Sequence, residues 1–478
     1  MLDAVNEFLW TWVLIVLLVG IGVTFTIVSR FVQFRYFGKM FGILLQAFHH
    51  EKGHVSSFQA LVLSVAGRVG AGNIAGVAVA ITLGGPGAIF WMWLIGLIGM
   101  ATSFFENTLA QLYKNAEPDG TYRGGPAYYI ERGLGQRWLA AIFSILLLVT
   151  FGFAFSALQA YTVATSFEDA FAIPTWISGI GLVIVLGLII FGGIKRIATA
   201  AEIVVPVMAI GYFGIALLVI AMNITEVPGV FVLIFRSAFG LEEAFAGGMG
   251  AAILLGVRRG LFSNEAGLGS APNVAAVAYV KHPANQGIVQ SFSVFIDTLI
   301  LCTCTAMIIL LSDAFVPGTE MEGVALTQSA LASEVGAWGR SFVSIALMLF
   351  AFTSIMYNYY LGENSLNFFS EENKTLFNVY RAITLVLVMW GATQDLTTVF
   401  GFADLTMALL ALVNLAALAL LFKVALRVMR DFDEQMKAGH APVFNAERFA
   451  DLNIDKKAWV IEHPALASAP AKAKEVIR

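Results

Sequence analysis

The chain has 478 residues, 59% of them hydrophobic and 13% charged, with a mean hydropathy of +0.81. Soluble chains are about 45–50% apolar and about 25% charged, and even a large domain leaves roughly a quarter of its unfolded surface in water. The composition therefore excludes a soluble enzyme, a disordered regulator and a nucleic-acid binder. The net charge of −4 points to no polyanionic partner. Cys302 and Cys304 stand two apart in an apolar run, so they offer neither a disulfide framework nor one shared metal site.

A membrane helix needs about 20 apolar residues to cross about 30 Å of hydrocarbon. Eleven runs meet that length: 8–30, 57–83, 87–113, 138–165, 174–193, 197–222, 245–278, 286–312, 338–364, 376–392 and 396–424. All six histidines lie outside them, which argues against membrane haem or quinone sites. The spacing predicts an all-α polytopic membrane protein with no cofactor. Asp3 and Glu7 precede the first run without a basic residue, so it does not resemble a cleavable signal peptide. With the N-terminus outside, 23 Lys and Arg fall in inner segments and two, Arg236 and Arg340, in outer ones. The positive-inside bias thus predicts N-out and C-in across a cell membrane. Short amphipathic helices are expected at Pro126–Arg132 inside, and at Val230–Phe239 and Glu322–Val335 outside. The chain divides into 1–56 (first helix and linker), 57–222, 223–428, and a tail at 429–478 whose end, around Pro464–Lys474, has a linker composition.

Two runs are interrupted at mid-depth. The second reads Gly67-Arg68-Val69-Gly70-Ala71-Gly72-Asn73. The seventh reads Arg259-Gly260-Leu261-Phe262-Ser263-Asn264-Glu265-Ala266-Gly267-Leu268-Gly269. Glycine combined with Arg, Asn and Glu in a bilayer costs helix propensity and desolvation together. It persists only where the freed main chain lines a protein-enclosed cavity. Half-helix amides then attract a carboxylate and freed carbonyls hold a cation, a main-chain site for an amino acid with sodium. Residues 70–78 and 267–275 share Gly-x-Gly-x-x-x-x-Val-Ala. Each interrupted run heads a set of five, and five crossings per set make the two sets inverted. Glycine-mediated packing without transport is the bland alternative.

At these residues the chain resembles the alanine/glycine:cation symporter family, the sodium:alanine symporters. The resemblance rests on Gly67–Gly76, on Phe262-Ser-Asn-Glu-Ala-Gly-Leu-Gly-Ser-Ala-Pro272 and on Tyr122-Arg-Gly-Gly-Pro-Ala-Tyr128, and spans about residues 10–430. It implies a leucine-transporter-type fold with one extra N-terminal helix, a 5+5 inverted repeat with two broken helices, and sodium-coupled uptake of alanine or glycine. It further implies that Gly70, Ala71, Gly72, Asn73, Phe262, Ser263, Asn264 and Gly267 line the substrate. Cation ligands are implied at Ala66, Val69 and Asn73, and at Phe350, Thr353 and Ser354 of the ninth run. Relatives of this fold that work without sodium carry a lysine on the fifth core helix. The sixth run here has none past Lys195, which favours sodium, with a proton-coupled amino-acid carrier as the alternative.

Phe155 and Gln159 share one face of the fourth run, and Gln159 is expected to reach the substrate. Asp297, about twelve residues into the eighth run, is a candidate cation ligand or the structural partner of Arg259. Arg68 and Glu265 could form a gate or a static pair. Arg258 and Arg259 are expected to pair with Asp297, Glu106 or Glu202. An intramembrane enzyme would need a membrane His or paired aspartates, which the runs lack, and a channel would need a continuous polar stripe.

Overall fold

In the computed structural model, residues 2–47, 54–118, 120–241, 248–316, 323–371 and 373–459 are described. They form an all-helical bundle with one two-stranded hairpin, β1 (Asn115–Ala116) and β2 (Tyr122–Arg123). The helices are α1 (Val5–Val28), α2 (Phe37–Ala47), α3 (Ser57–Arg68), α4 (Gly72–Gly84), α5 (Gly87–Leu112) and α6 (Pro126–Leu134). There follow α7 (Arg137–Phe171), α8 (Thr175–Ile190), α9 (Gly193–Met222), α10 (Val227–Ala238), α11 (Gly248–Asn264) and α12 (Ala271–Ala275). The last are α13 (Pro283–Leu310), α14 (Val324–Val335), α15 (Trp338–Phe369), α16 (Lys374–Gly391) and α17 (Leu396–Lys437).

Among the described residues, seven helices are long and apolar enough to cross a membrane, and α3 with α4 would make an eighth. The eleven runs of the sequence do not all pass that test. α8 has only 16 residues, α11 has 17 and includes Arg258 and Arg259, and α16 includes Lys374 and Arg381. Short helices are found at the three places where they are expected, as α6, α10 and α14. Residues 460–478, where the linker composition falls, lie outside the described residues.

Local chemistry sets the ends of these helices. Ser56 and Gln59 close a capping box at the start of α3, and Asn373 and Asp395 accept from main-chain N–H groups at the starts of α16 and α17. α5, which with α15 is the most enclosed of the spans described, packs along α11 and α13, while α7 lies against α15, and α9 against α3 and α15. The outer face of α9 carries Ile203, Val207 and Ile210 at 65–71% exposure. So much bare aliphatic surface on one helix is a lipid-facing stripe. The molecule is a multi-pass membrane protein.

Four of the spans contain a wide, π-helical turn: Leu9–Leu14 in α1, Gly72–Gly76 in α4, Leu148–Phe155 in α7 and Phe295–Cys302 in α13. Such turns shift the helical register by one residue and commonly mark functional positions. Three of them carry a residue singled out from the sequence (Asn73, Phe155 and Asp297).

After α17 the chain folds back over the hairpin end of the bundle. Phe444 donates its N–H to the Lys281 carbonyl at 2.8 Å, Ala116 N–H donates to Asp455 at 3.0 Å, and Trp459 Nε1 donates to the Leu112 carbonyl at 3.3 Å. Lys114 is enclosed there, its Nζ 3.9 Å from the Tyr122 ring centre and 4.7 Å from that of Trp459. Burial pushes its amine down to about 7.

Candidate functional site

The first interruption is a true break. α3 ends at Arg68, Val69 is extended, and α4 resumes at an angle of 51° to α3. Gly70 N–H donates to Asn73 Oδ1 at 3.0 Å instead of to a carbonyl one turn back, and Ala71 N–H donates to Gln159 Oε1 at 3.0 Å. The carbonyls of Ala66 and Val69 are thereby released from the helical ladder. They gather around one hydroxyl: Ser354 Oγ lies 2.9 Å from Ala66 O, 3.3 Å from Gly67 O, 3.4 Å from Val69 O and 3.0 Å from Phe350 O. Thr353 Oγ1 is 2.9 Å from the same Phe350 carbonyl. A serine has one proton to offer four acceptors, so oxygen lone pairs are in surplus in a fully buried spot. That is the donor set of a small hard cation. Ala66, Val69, Phe350, Thr353 and Ser354 are thus brought together.

Glycine at 70 and 72 is required by closeness. A Cβ on Gly70 would lie 2.6 Å from Ser354 Oγ and 2.7 Å from Gln159 Nε2, and one on Gly72 would lie 3.0 Å from the Phe262 ring. Gln159 therefore sits where a carboxylate on the Ala71 amide would sit.

Asn73 joins this break to a second polar group. Its Nδ2 donates to Asp297 Oδ1 at 2.7 Å, while Asp297 Oδ2 accepts from Ser263 at 2.9 Å and from Thr298 at 2.8 Å. Cys302 Sγ touches both Asn73 and Ser263, and Thr305 donates to the Asn73 carbonyl at 2.6 Å. The fully buried Asp297 carboxylate is thus held by three neutral donors, with no ion pair to it among the described residues.

The second interruption follows Asn264. Glu265 adopts a left-handed conformation (φ 54°), with Gly267 at 92° and Gly269 at 79°, before the short helix α12. A non-glycine residue held there is strained, and its side chain is pinned by Ser270 at 2.5 Å and Tyr357 at 3.2 Å. A Cβ on Gly269 would meet Pro126 at 2.7 Å, so only glycine fits. Asn264 Oδ1 accepts from Ala266 N–H at 2.9 Å, which turns it toward its own break, and the Gly267 carbonyl accepts from Asn414 at 2.9 Å. Gly70 to Asn73, Gln159 and Phe262 converge, whereas Ser263 serves Asp297, and Asn264 and Gly267 shape the second break.

Phe155 and Phe262 pack with tilted rings 5.0 Å apart between centroids, and Phe262 stacks in turn on Phe400 at 6.0 Å. Phe400 also lines a cavity of about 190 Å³ with Tyr161, Thr162, Thr165 and Val79.

The expected ion pairs are rearranged. Arg68 does not pair with Glu265; it donates to Ser293, to the Gln290 carbonyl at 3.3 Å and to Ser103 at 3.4 Å. Arg259 and Arg258 do not reach Asp297, Glu106 or Glu202; both pair with Asp404, at 3.2 and 3.3 Å. Asp404 lies in the eleventh run, four runs away in sequence, which is why neighbour-by-neighbour reasoning missed it. Thr298, Thr305, Tyr357 and Phe400 were also missed. Two had a visible signal: Thr305 stands eight residues from Asp297, and Tyr357 four from Thr353, on the same helical faces.

A broken span and a second interrupted helix, whose freed main chain meets buried hydroxyls, amides and a carboxylate, have the build of a secondary transporter. The chain belongs to the sodium:alanine symporter family, whose model matches residues 1–446. It is 48% identical over 441 residues to the probable sodium/glutamine symporter GlnT of Bacillus subtilis, covering 92% of this chain and 91% of that protein. It is 40% identical over 423 residues to a sodium/proton-dependent alanine carrier protein of Bacillus sp. strain PS3, covering 85% and 94%. In fold it is similar to MhsT crystallised with L-phenylalanine, at a TM-score of 0.56 and 13% identity over 78% of this chain and 90% of that one.

Proposed function

We propose that the protein imports a small neutral amino acid, alanine and/or glycine, together with sodium, by alternating access across the cell membrane. The proposed frame is eleven spans, with one leading helix and two inverted sets of five at 57–222 and 223–428, and with the N-terminus outside and the C-terminus inside. One observation carries the reading: the four carbonyls around Ser354, an acceptor surplus that sodium relieves.

The site residues take the following roles. Ala66, Val69, Phe350, Thr353 and Ser354 hold one sodium, and Asp297 with Asn73 attracts another cation. Sodium tightens the break and so orders the amides of Gly70, Ala71 and Gly72. The substrate carboxylate takes the Ala71 amide from Gln159, whose released side chain turns to the zwitterion. Phe155 and Phe262 narrow the pocket and favour small side chains. In this orientation the cavity beneath Gly323–Ala325 is an outer vestibule floored by Phe400. Each sodium entering down 100 mV contributes about 2.3 kcal/mol, roughly fiftyfold in accumulation.

Met208, not a lysine, lies against Thr353 at 3.8 Å, which favours sodium over a fixed ammonium at the first cation site. Glutamine is a second reading, favoured by the described substrate of the 48%-identical relative. Uptake of labelled alanine, glycine and glutamine into proteoliposomes under sodium, proton or no gradient tests both. Uptake indifferent to sodium refutes the coupling, and exclusive glutamine uptake replaces the substrate.

A further inference from the structure

Chain segments that follow a last helix are commonly ragged, because ordering them costs conformational entropy. Residues 440–459 are not. They leave α17 at Gly439 (φ 78°) and run back along it. Gln435 bonds both main-chain groups of Val443, at 2.8 and 3.0 Å, while Arg427 pairs with Asp451 at 2.6 Å and Arg448 with Asp431 at 2.5 Å. Phe444, Phe449 and Trp459 are buried, and the Phe444 ring packs against the other two at 4.9 and 4.7 Å.

This strap rests on the point where the two interrupted spans are joined. Val55, just before α3, forms a parallel β-bridge with Ala278, just past α12, and Tyr279 N–H donates to the Val55 carbonyl at 3.0 Å. The Ala278 carbonyl accepts from Gln111 and from Lys114 Nζ at the end of α5, both at 3.0 Å. The strap closes over that joint. Phe444 N–H donates to the Lys281 carbonyl at 2.8 Å, and its ring stands edge-on to His282 at 5.8 Å. His282 Nε2 lies 3.2 Å from Asp431 of α17. Trp459 covers Lys114 and donates to the Leu112 carbonyl, and Asp455 accepts from Ala116 N–H. The strap thus ties α17 to the end of α5 and to the loop between α12 and α13.

In the proposed orientation this is the inner face, and cargo leaving inward from the Ala71 amide passes between α3 and α12. The two cannot separate until the Val55–Ala278 bridge parts. Lys281 is held by Phe444, and Ala278 by a lysine that Trp459 covers, so the strap opposes that parting. We propose that residues 440–459 are an autoinhibitory latch: docked, they hold the inner release path shut, and they lift before cargo leaves. This rests on the symport reading and its orientation, and it adds a control of turnover that the ion and substrate groups do not supply.

Proteoliposomes of the full-length chain under an inward sodium gradient test the latch in both directions. Trp459→Ala loosens it. Opening and release commonly limit turnover, so the maximal rate of alanine uptake should rise about threefold to tenfold. Trp459→Phe, which keeps a ring over Lys114, should match the wild type. A folded Trp459→Ala protein at or below the wild-type rate overturns the proposal. Phe444→Cys combined with Lys281→Cys guards against a variant that fails to fold. The main chains of these residues meet at 2.8 Å, and the native Cys302 and Cys304 are buried. Oxidation with copper-phenanthroline should stop uptake but spare sodium-dependent alanine binding, and dithiothreitol should restore transport; crosslinked protein that transports at the uncrosslinked rate overturns the proposal. Failure of the wild type to take up any amino acid under sodium is a different result, and refutes the symport reading. The latch is then judged by hydrogen exchange at residues 55–60 and 276–282, which should rise at least about tenfold in Trp459→Ala; unchanged exchange overturns it.

Discussion

Gly70→Ala isolates the claim that closeness at the first break makes the cation site. Residue 70 is not among the glycines held at positive φ, so alanine strains no torsion there, and the whole effect comes from the added carbon. That carbon would lie 2.6 Å from Ser354 Oγ and 2.7 Å from Gln159 Nε2. Ordinary contact begins near 3.4 Å, so both must retreat, by roughly 0.8 and 0.7 Å. Ser354 is held by four carbonyls and Gln159 by one amide, and both belong to the proposed site. Losing one ligand-strength contact to a charged partner is worth about 1.5–3 kcal/mol, or about tenfold to a hundredfold in affinity. Half-saturating sodium for alanine uptake in proteoliposomes should rise by that factor. Gly181→Ala, whose added carbon meets nothing, should leave it unchanged. If Gly70→Ala transports with a sodium requirement within about twofold of wild type, the carbonyl cluster is not the coupling site and the reasoning fails.

Three further outcomes follow from other parts of the bundle. Asp297→Asn keeps shape but removes the charge that Asn73, Ser263 and Thr298 surround, so sodium affinity should fall about a hundredfold; an unchanged sodium titration would return Asp297 to a structural role. Gln159→Ala should raise the alanine KM about tenfold and leave half-saturating sodium within about twofold, and the reverse pattern would move Gln159 out of the substrate pocket. Lys114 gives a pH dependence of stability. Its folded amine titrates near 7, below the ordinary value of 10.5, so between those values the unfolded chain binds more protons. Stability of the folded-back segment should therefore rise with pH across that window by at most about 1.4 kcal/mol per unit, and level off below 7. Hydrogen exchange at residues 112–116 and 455–459 measures it, and Lys114→Met should abolish the slope; a slope that survives the substitution assigns it elsewhere.

Which parts of this architecture could be seen in the sequence follows from how local their causes are. A break is a local event: glycine, arginine and asparagine within six positions of an apolar run conflict with helix and bilayer at once, and both breaks stand where that conflict is written. Thr353 and Ser354 were reachable only through resemblance, because two hydroxyls in a helix carry no mark that distinguishes a cation ligand from a bond back to the helix. Ser354 does bond back, since the Phe350 carbonyl is one of its four acceptors, and the other three are carbonyls at the first break. Pairing is the opposite case. Arg68 and Glu265 align in the internal repeat, yet each is satisfied by groups on a third helix, Arg68 by α13 and Glu265 by Tyr357 of α15. A buried charge is matched by whatever the tertiary fold delivers within 3 to 4 Å, and sequence order says nothing of that.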